Sequence, residues 1–206
     1  MPVTDFSESP TLTRRGLIAG LVAGAAGAAA QVVSTPSALA QASLRPPGAV
    51  GEDEFLSRCI RCFQCGDICP NGAIKFKGLE SGLGEALTPY IKPREQGCTA
   101  CMKCTQVCPS GALTPLSADP EVVPGTVKMG VARLNRAMCY SYDEPARTCG
   151  VCYRACPFPG KAMRITMWER PVVDFEQCVG CGLCEQACIH VPQAIRIIPN
   201  AHRETT

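Results

Sequence analysis

The chain has 206 residues, of which sixteen are cysteine and only 5% aromatic, with 19 glycines, 18 prolines and one tryptophan. So few bulky rings exclude a large conventional core, and something other than packed side chains must staple the chain together. Twenty Lys and Arg against eighteen Asp and Glu leave a net charge of +2, which points neither to a nucleic-acid partner nor to an acidic solvating tail.

In chain order, residues 1–40 read as a targeting segment. Arg14 and Arg15 precede an uncharged, Gly/Ala-rich stretch from Gly16 to Ala30, and Ala38-Leu39-Ala40 supplies a small-x-small cleavage site. That order of charged, apolar and small residues is a signal peptide, too short and Gly/Ala-rich for a good membrane span. An uncleaved N-terminal anchor is the alternative. Thr13-Arg14-Arg15-Gly16-Leu17-Ile18 resembles the twin-arginine export motif, with Thr and Leu for the usual Ser and Phe, and Ala19 where Lys often stands. That route carries proteins already folded around a cofactor.

All sixteen cysteines lie beyond the leader, in four groups of four. The first is Cys59, Cys62, Cys65 and Cys69, followed by Pro70; the second is Cys98, Cys101, Cys104 and Cys108, followed by Pro109. The third is stretched, with nine residues between Cys139 and Cys149 before Cys152, Cys156 and Pro157. The fourth is Cys178, Cys181, Cys184 and Cys188, with Ile189 in place of Pro. C-x2-C-x2-C-x3-C-P is the ligand run of a bacterial [4Fe–4S] ferredoxin cluster. Three cysteines at intervals of three wrap a loop around one face of a cubane, and the cysteine before Pro reaches the neighbouring cluster. Four repeats therefore imply four [4Fe–4S] clusters, with all sixteen cysteines as ligands and none left over.

Other uses of cysteine fit less well. Disulfides are plausible in an exported chain, yet three closely spaced cysteines in a row suit a metal better. Structural zinc uses paired C-x2-C knuckles separated by longer loops, without a regular third cysteine. His190, two residues past Cys188, is expected at the surface rather than as a ligand.

The repeats also share a downstream signature. Ala73 and Ala112 stand four positions after Cys69 and Cys108, whereas Ala162 and Ala194 stand six after Cys156 and Cys188. Ala162-Met163-Arg164-Ile165 mirrors Ala194-Ile195-Arg196-Ile197, and such alternation predicts short strands with one face on a cluster. The expected fold is α+β: tandem bacterial ferredoxin-like modules over 51–120 and 130–200, short strands and helices wrapped around clusters. The boundary is placed at Ser117–Gly125, which carries Pro120 and Pro124. Loops of 28 residues between Cys69 and Cys98, and 21 between Cys156 and Cys178, suffice for two motifs to exchange their fourth cysteines. Adjacent exchange is favoured by the matching Ala offsets; nesting of first with fourth and second with third is the rival.

Leu44-Arg45-Pro46-Pro47-Gly48-Ala49, Ser81-Gly82-Leu83, Thr88-Pro89-Tyr90, Met129-Gly130-Val131-Ala132 and Cys152-Tyr153-Arg154-Ala155-Cys156-Pro157 add to the stretched third motif and the leader. Together they resemble the MauM/NapG family of periplasmic ferredoxin-type proteins over essentially the whole mature chain. The resemblance implies electron transfer between a polytopic membrane ferredoxin-type, quinol-oxidising partner and a periplasmic c-type cytochrome or redox enzyme, at or near the inner membrane. It leans to the methylamine-utilisation branch. The gap between Cys101 and Cys104 is x2 and only eighteen residues follow Cys188, where nitrate-reductase members carry a longer gap and tail. A factor in the maturation of a periplasmic metalloenzyme is a second reading of the same features.

No nucleotide loop, flavin motif or haem attachment site stands beside the cysteines, and each motif has its full ligand set. An electron carrier is therefore expected rather than a reductase with an open metal position. Each oxidised cluster adds a charge of about −2, which takes the mature chain to roughly −6. Arg58, Arg61, Lys103 and Arg154, beside or within the motifs, are candidates to offset that charge and tune potentials, or else solvated loop charges. Phe63 and Tyr153 are expected to pack beside the clusters, and Trp168 to pack beneath a strand.

Overall fold

The computed structural model describes residues 43–143 and 147–200. The leader falls outside them. Among the described residues no helix is long and apolar enough to cross a membrane.

The first half begins with an extended segment that pairs twice at single points, Leu44 with Ile91 and Ala49 with Leu113. Helix α1 (Glu52–Arg58) follows. Its first turn carries Glu52, Asp53 and Glu54 and its last turn Arg58, a charge order that complements the helix dipole. Phe55 is its fully buried residue. The Arg45 guanidinium lies 4.8 Å from the centre of that ring and donates to Thr88 Oγ1 at 2.9 Å and to the Pro89 carbonyl at 2.8 Å. Arg45 also pairs with Glu52 at 2.5 Å, so this buried cation ties the incoming strand, α1 and the central hairpin together. One turn, α2 (Gln64–Asp67), leads to strand β1 (Ile74–Phe76), which pairs antiparallel with β2 (Pro89–Ile91). A second turn, α3 (Lys103–Gln106), returns the chain to Leu113 beside Ala49.

The boundary segment is not a bare loop. Its end forms α4 (Val123–Thr126), with Val123 and Val127 each 1% exposed.

The second half repeats the plan. Strand β3 (Gly130–Leu134) pairs antiparallel over five residues with the last strand, β6 (Ile195–Pro199). Between them lie α5 (Tyr140–Asp143), α6 (Val151–Ala155), the hairpin β4 (Met163–Thr166) and β5 (Arg170–Val173), and α7 (Leu183–Ala187). In both halves the outer segments pair with each other, the inner two strands form a hairpin, and two one-turn helices face each other: α2 with α3, α6 with α7. These are tandem ferredoxin-like modules of mixed helix and strand.

The four alanines singled out by the repeats are all buried: Ala73 1%, Ala112 2%, Ala162 4% and Ala194 4% exposed. They let the strand pass close over the cysteine loops. The strand expected after Ala112 is only the single bridge at Leu113, and in β4 Met163 is the one buried residue, Ile165 being 38% exposed. Trp168 does not pack beneath a strand. It occupies the turn between β4 and β5 at φ 64° and is 42% exposed, because the hairpin must reverse there within three residues.

Candidate functional site

Each motif wraps a loop that ends in a one-turn helix bearing its third cysteine: Cys65 on α2, Cys104 on α3, Cys152 on α6 and Cys184 on α7. The residue before each of these helices is left-handed: Phe63 (φ 65°), Met102 (56°), Gly150 (53°) and Gly182 (87°). Three motifs add a second such residue just before their second cysteine, at Arg61 (58°), Ala100 (57°) and Gly180 (73°). Backbone alternating in this way turns successive N–H groups toward a common centre, a nest for negative charge. One of them reaches sulfur already, Ala100 N–H donating to Cys98 Sγ at 3.3 Å; beyond the loop, Leu113 N–H donates to Cys108 Sγ at 3.4 Å.

The loops enclose hollows with apolar walls. One, about 370 Å3 of empty space open to solvent, is lined by Cys59, Cys62, Cys65 and Cys108 with Phe63 and Phe76. Another, about 320 Å3, is lined by Cys156, Cys178, Cys181 and Cys184 with Phe158 and Met163. A third, about 330 Å3, has Cys139, Cys149, Cys152 and Cys188, with Tyr140 and His190. The remaining four are Cys69, Cys98, Cys101 and Cys104; Asn71 Nδ2 donates to the Gly97 carbonyl at 2.7 Å, which brings the turn after Cys69 beside Cys98. Twelve cysteines thus stand in three sets of four, and each of these sets takes its fourth member from the neighbouring motif. This is the adjacent exchange, within each half, and not the nested one.

All sixteen are free thiols. Among the described residues no three His, Cys, Asp or Glu side chains close in on a point that would hold a single ion. Tetrahedral zinc would need sulfurs within about 2.3 Å of one centre. Cysteines standing around a hollow, rather than around a point, fit a polynuclear cluster whose own atoms fill the middle.

Charge adds the need for a cation. Burial, and then repulsion from Cys59 and Cys62, pushes the Cys65 thiol up to about 11. Burial drives Cys98 to about 11, Cys104, Cys152 and Cys181 to about 12, and Cys184 well above its ordinary range. Without a cation these thiols are neutral at pH 7, so metal must displace their protons. Cys108 differs. Burial raises it too, but hydrogen bonds from the Leu113 N–H and Ser110 together outweigh burial and leave it lowered.

Three of the four cations near the motifs bind loop carbonyls or carboxylates, with the Arg58 and Arg154 side chains still 47% and 57% exposed. Arg61 donates to the carbonyls of Ala86 and Gly84, both at 2.9 Å. Arg154 reaches the Cys149 carbonyl and pairs with Glu169 at 3.2 Å, and Arg58 pairs with Glu54 at 2.5 Å. Lys103 is exposed. Phe63 packs edge-on against Phe76 at 4.6 Å. His190 is half-buried, its Nδ1 2.7 Å from the Pro192 carbonyl, because the turn after Cys188 folds it back over its hollow. Sequence reasoning missed Arg45 and Ser141. The fully buried Ser141 accepts from the Cys149 N–H at 3.1 Å, closing the stretched third loop.

Fold and cysteine sets together define a ferredoxin-type iron–sulfur protein, a carrier of electrons rather than an enzyme. Comparison with known sequences agrees. Residues 58–112 match a 4Fe-4S dicluster domain, and residues 143–163 and 171–190 each match a 4Fe-4S binding domain. The chain is 35% identical over 205 residues to the methylamine utilization ferredoxin-type protein MauM of Methylorubrum extorquens, covering 94% of this chain and 89% of that one. It is 36% identical over 211 residues to the ferredoxin-type protein NapG of Escherichia coli, covering 94% and 88%. Against MauM of Paracoccus denitrificans it is 35% identical over 180 residues, covering 82% and 77%. The chain belongs to the MauM/NapG family of ferredoxin-type proteins.

Proposed function

We propose that the protein is a periplasmic electron carrier with four [4Fe–4S] clusters, one in each cysteine set. The sets are Cys59, Cys62, Cys65 and Cys108; Cys98, Cys101, Cys104 and Cys69; Cys139, Cys149, Cys152 and Cys188; and Cys178, Cys181, Cys184 and Cys156. The observation that carries this is the gathering of twelve thiols in three sets of four, each around one hollow, with one full motif's worth of cysteines remaining for the fourth. A bound cluster supplies reversible uptake of one electron, at a potential set by charge, hydrogen bonds to sulfur and exposure. The chain does the rest. Its cysteines act as thiolates, the Ala100 and Leu113 N–H groups favour added negative charge at sulfur, and Phe76, Phe158 and Met163 wall the hollows with apolar surface.

The paired Arg14 and Arg15 support export of the folded protein by the twin-arginine route. The partners we assign are a membrane ferredoxin-type, quinol-oxidising protein on one side and a periplasmic c-type cytochrome or redox enzyme on the other. The pathway is methylamine utilisation; the 36% identity with NapG favours transfer toward nitrate reductase as the second reading.

Dithionite reduction should generate about four cluster spins per chain in electron paramagnetic resonance, and two or fewer would refute the assignment. Replacing Arg14 and Arg15 by Lys should hold the protein in the cytoplasm; normal export would make them ordinary leader charges. A deletion strain should lose growth on methylamine while keeping nitrate respiration, and the opposite pattern selects the second reading.

A further inference from the structure

The two halves meet where their cysteine loops do. The Cys98 N–H donates to the Cys181 carbonyl at 2.7 Å, joining a second-motif loop directly to a fourth-motif loop. Gln186 Oε1 accepts from the Gly97 N–H at 2.9 Å, and Arg94 donates to the Cys188 carbonyl at 3.0 Å and the Gln186 carbonyl at 3.2 Å. Contact is so close that a Cβ on Gly97 would stand 2.7 Å from Leu183 N, and one on Gly182 would stand 2.6 Å from Pro93 Cβ. The hollows themselves are each lined from one half alone, by residues 55–113 around Cys62, 132–197 around Cys181 and 134–195 around Cys149, so the junction joins the cysteine loops and not the hollows.

We infer that this junction fixes the four cysteine sets in the spatial order first, second, fourth, third. Gly97, Gly182, Arg94 and Gln186 act as positioning residues that hold the second set against the fourth. The first and third sets are then the two ends, where outside donor and acceptor must reach the protein. Sequence order does not give this arrangement, because second and fourth motifs are separated by the whole third repeat. The reason for the glycines is distance: electron tunnelling falls steeply with separation, and any side chain at Gly97 wedges the two loops apart.

The inference rests on the proposal that the sets hold clusters, and the test separates the two. Full-length Cys59→Ala/Cys62→Ala removes half of the first set. Its iron should fall from about sixteen to about twelve per chain. After dithionite reduction the three remaining clusters should all show broadened, fast-relaxing resonance signals, because the second set still has the fourth as neighbour. Adding Gly97→Val should release one narrow, slowly relaxing signal. The mirror variant Cys139→Ala/Cys149→Ala should likewise leave no isolated cluster. Full iron in the wild type with an isolated signal in either double variant overturns the order alone; wild-type iron far below about sixteen overturns the cluster assignment itself. Hydrogen exchange of the wild type gives a reading free of any cysteine change. The Cys98 amide should exchange at least about tenfold slower than in Arg94→Ala/Gln186→Ala, and equal rates in the two proteins overturn the junction.

Discussion

The two halves solve one problem with different residues. Both must turn the chain left-handed between closely spaced cysteines. The first half does so with Arg61, Phe63, Ala100 and Met102; the second uses Gly150, Gly180 and Gly182. A left-handed L-residue costs about 1–2 kcal/mol, which glycine avoids. In the second half there is no room for the alternative, since a Cβ on Gly180 would stand 2.4 Å from Gly130 N. Outer pairing differs in the same sense, with single bridges in the first half and a five-residue ladder in the second. Burial follows the motif rather than the half: Cys98 and Cys104 of the second motif and Cys178, Cys181 and Cys184 of the fourth are buried, while Cys62 of the first is exposed. The first half accepts strained L-residues both in the exposed loop at Phe63 and at the buried Ala100 and Met102. The second is built tight and depends on glycine.

Exchanging these solutions should hurt the second half most. Gly180→Ala combines a left-handed alanine with a backbone clash against Gly130, and should cost about 2–5 kcal/mol. Thermal unfolding with parallel iron analysis measures it, and an unchanged midpoint would remove the distinction between the halves. In the first half the corresponding weak point is Arg45. Arg45→Met strips hydrogen bonds from Thr88, Pro89 and Glu52, and should cost about 1–3 kcal/mol. Arg45→Lys should rescue little, because a single ammonium cannot reproduce the fork.

Thiol chemistry separates the halves more finely. The thiolate is the nucleophile, so a lowered thiol reacts at lower pH and a raised one only as pH climbs. In protein freshly freed of iron, Cys108 is lowered and Cys184 is raised well above its usual range. Iodoacetamide at neutral pH should therefore alkylate Cys108 at least about tenfold faster than Cys184. As pH rises, Cys108 should reach its full rate below about 9, whereas Cys184 should speed up only above that, as followed by peptide mass spectrometry. Equal rates would mean that the hydrogen bonds at Cys108 do not form. The smallest effect belongs to Ala100→Gly. Relief of strain and loss of a buried methyl oppose each other, and stability should change by less than about 1 kcal/mol.

Cysteine spacing made the sets nearly legible in advance, because a short loop fixes where its thiols can reach. The buried alanines were legible too, since only a small residue lets a strand cross so close. Strand lengths were not. Leu113 and Met163 lie in equally apolar runs, yet one makes a single bridge and the other a hairpin, decided by what each pairs with across the chain. Trp168 misled for the same reason: a large ring suggests burial, but its position between β4 and β5 makes it a turn residue. The junction at Gly97 left no mark in the sequence, because a glycine needed for distant contact looks like any loop glycine.

The central claim is that four cysteine sets hold four clusters, and metal content tests it most directly. Anaerobically purified protein should contain about sixteen iron and about sixteen acid-labile sulfide per chain, with no stoichiometric zinc. Iron near half that value, zinc in its place, or cysteines recovered as disulfides would contradict the account.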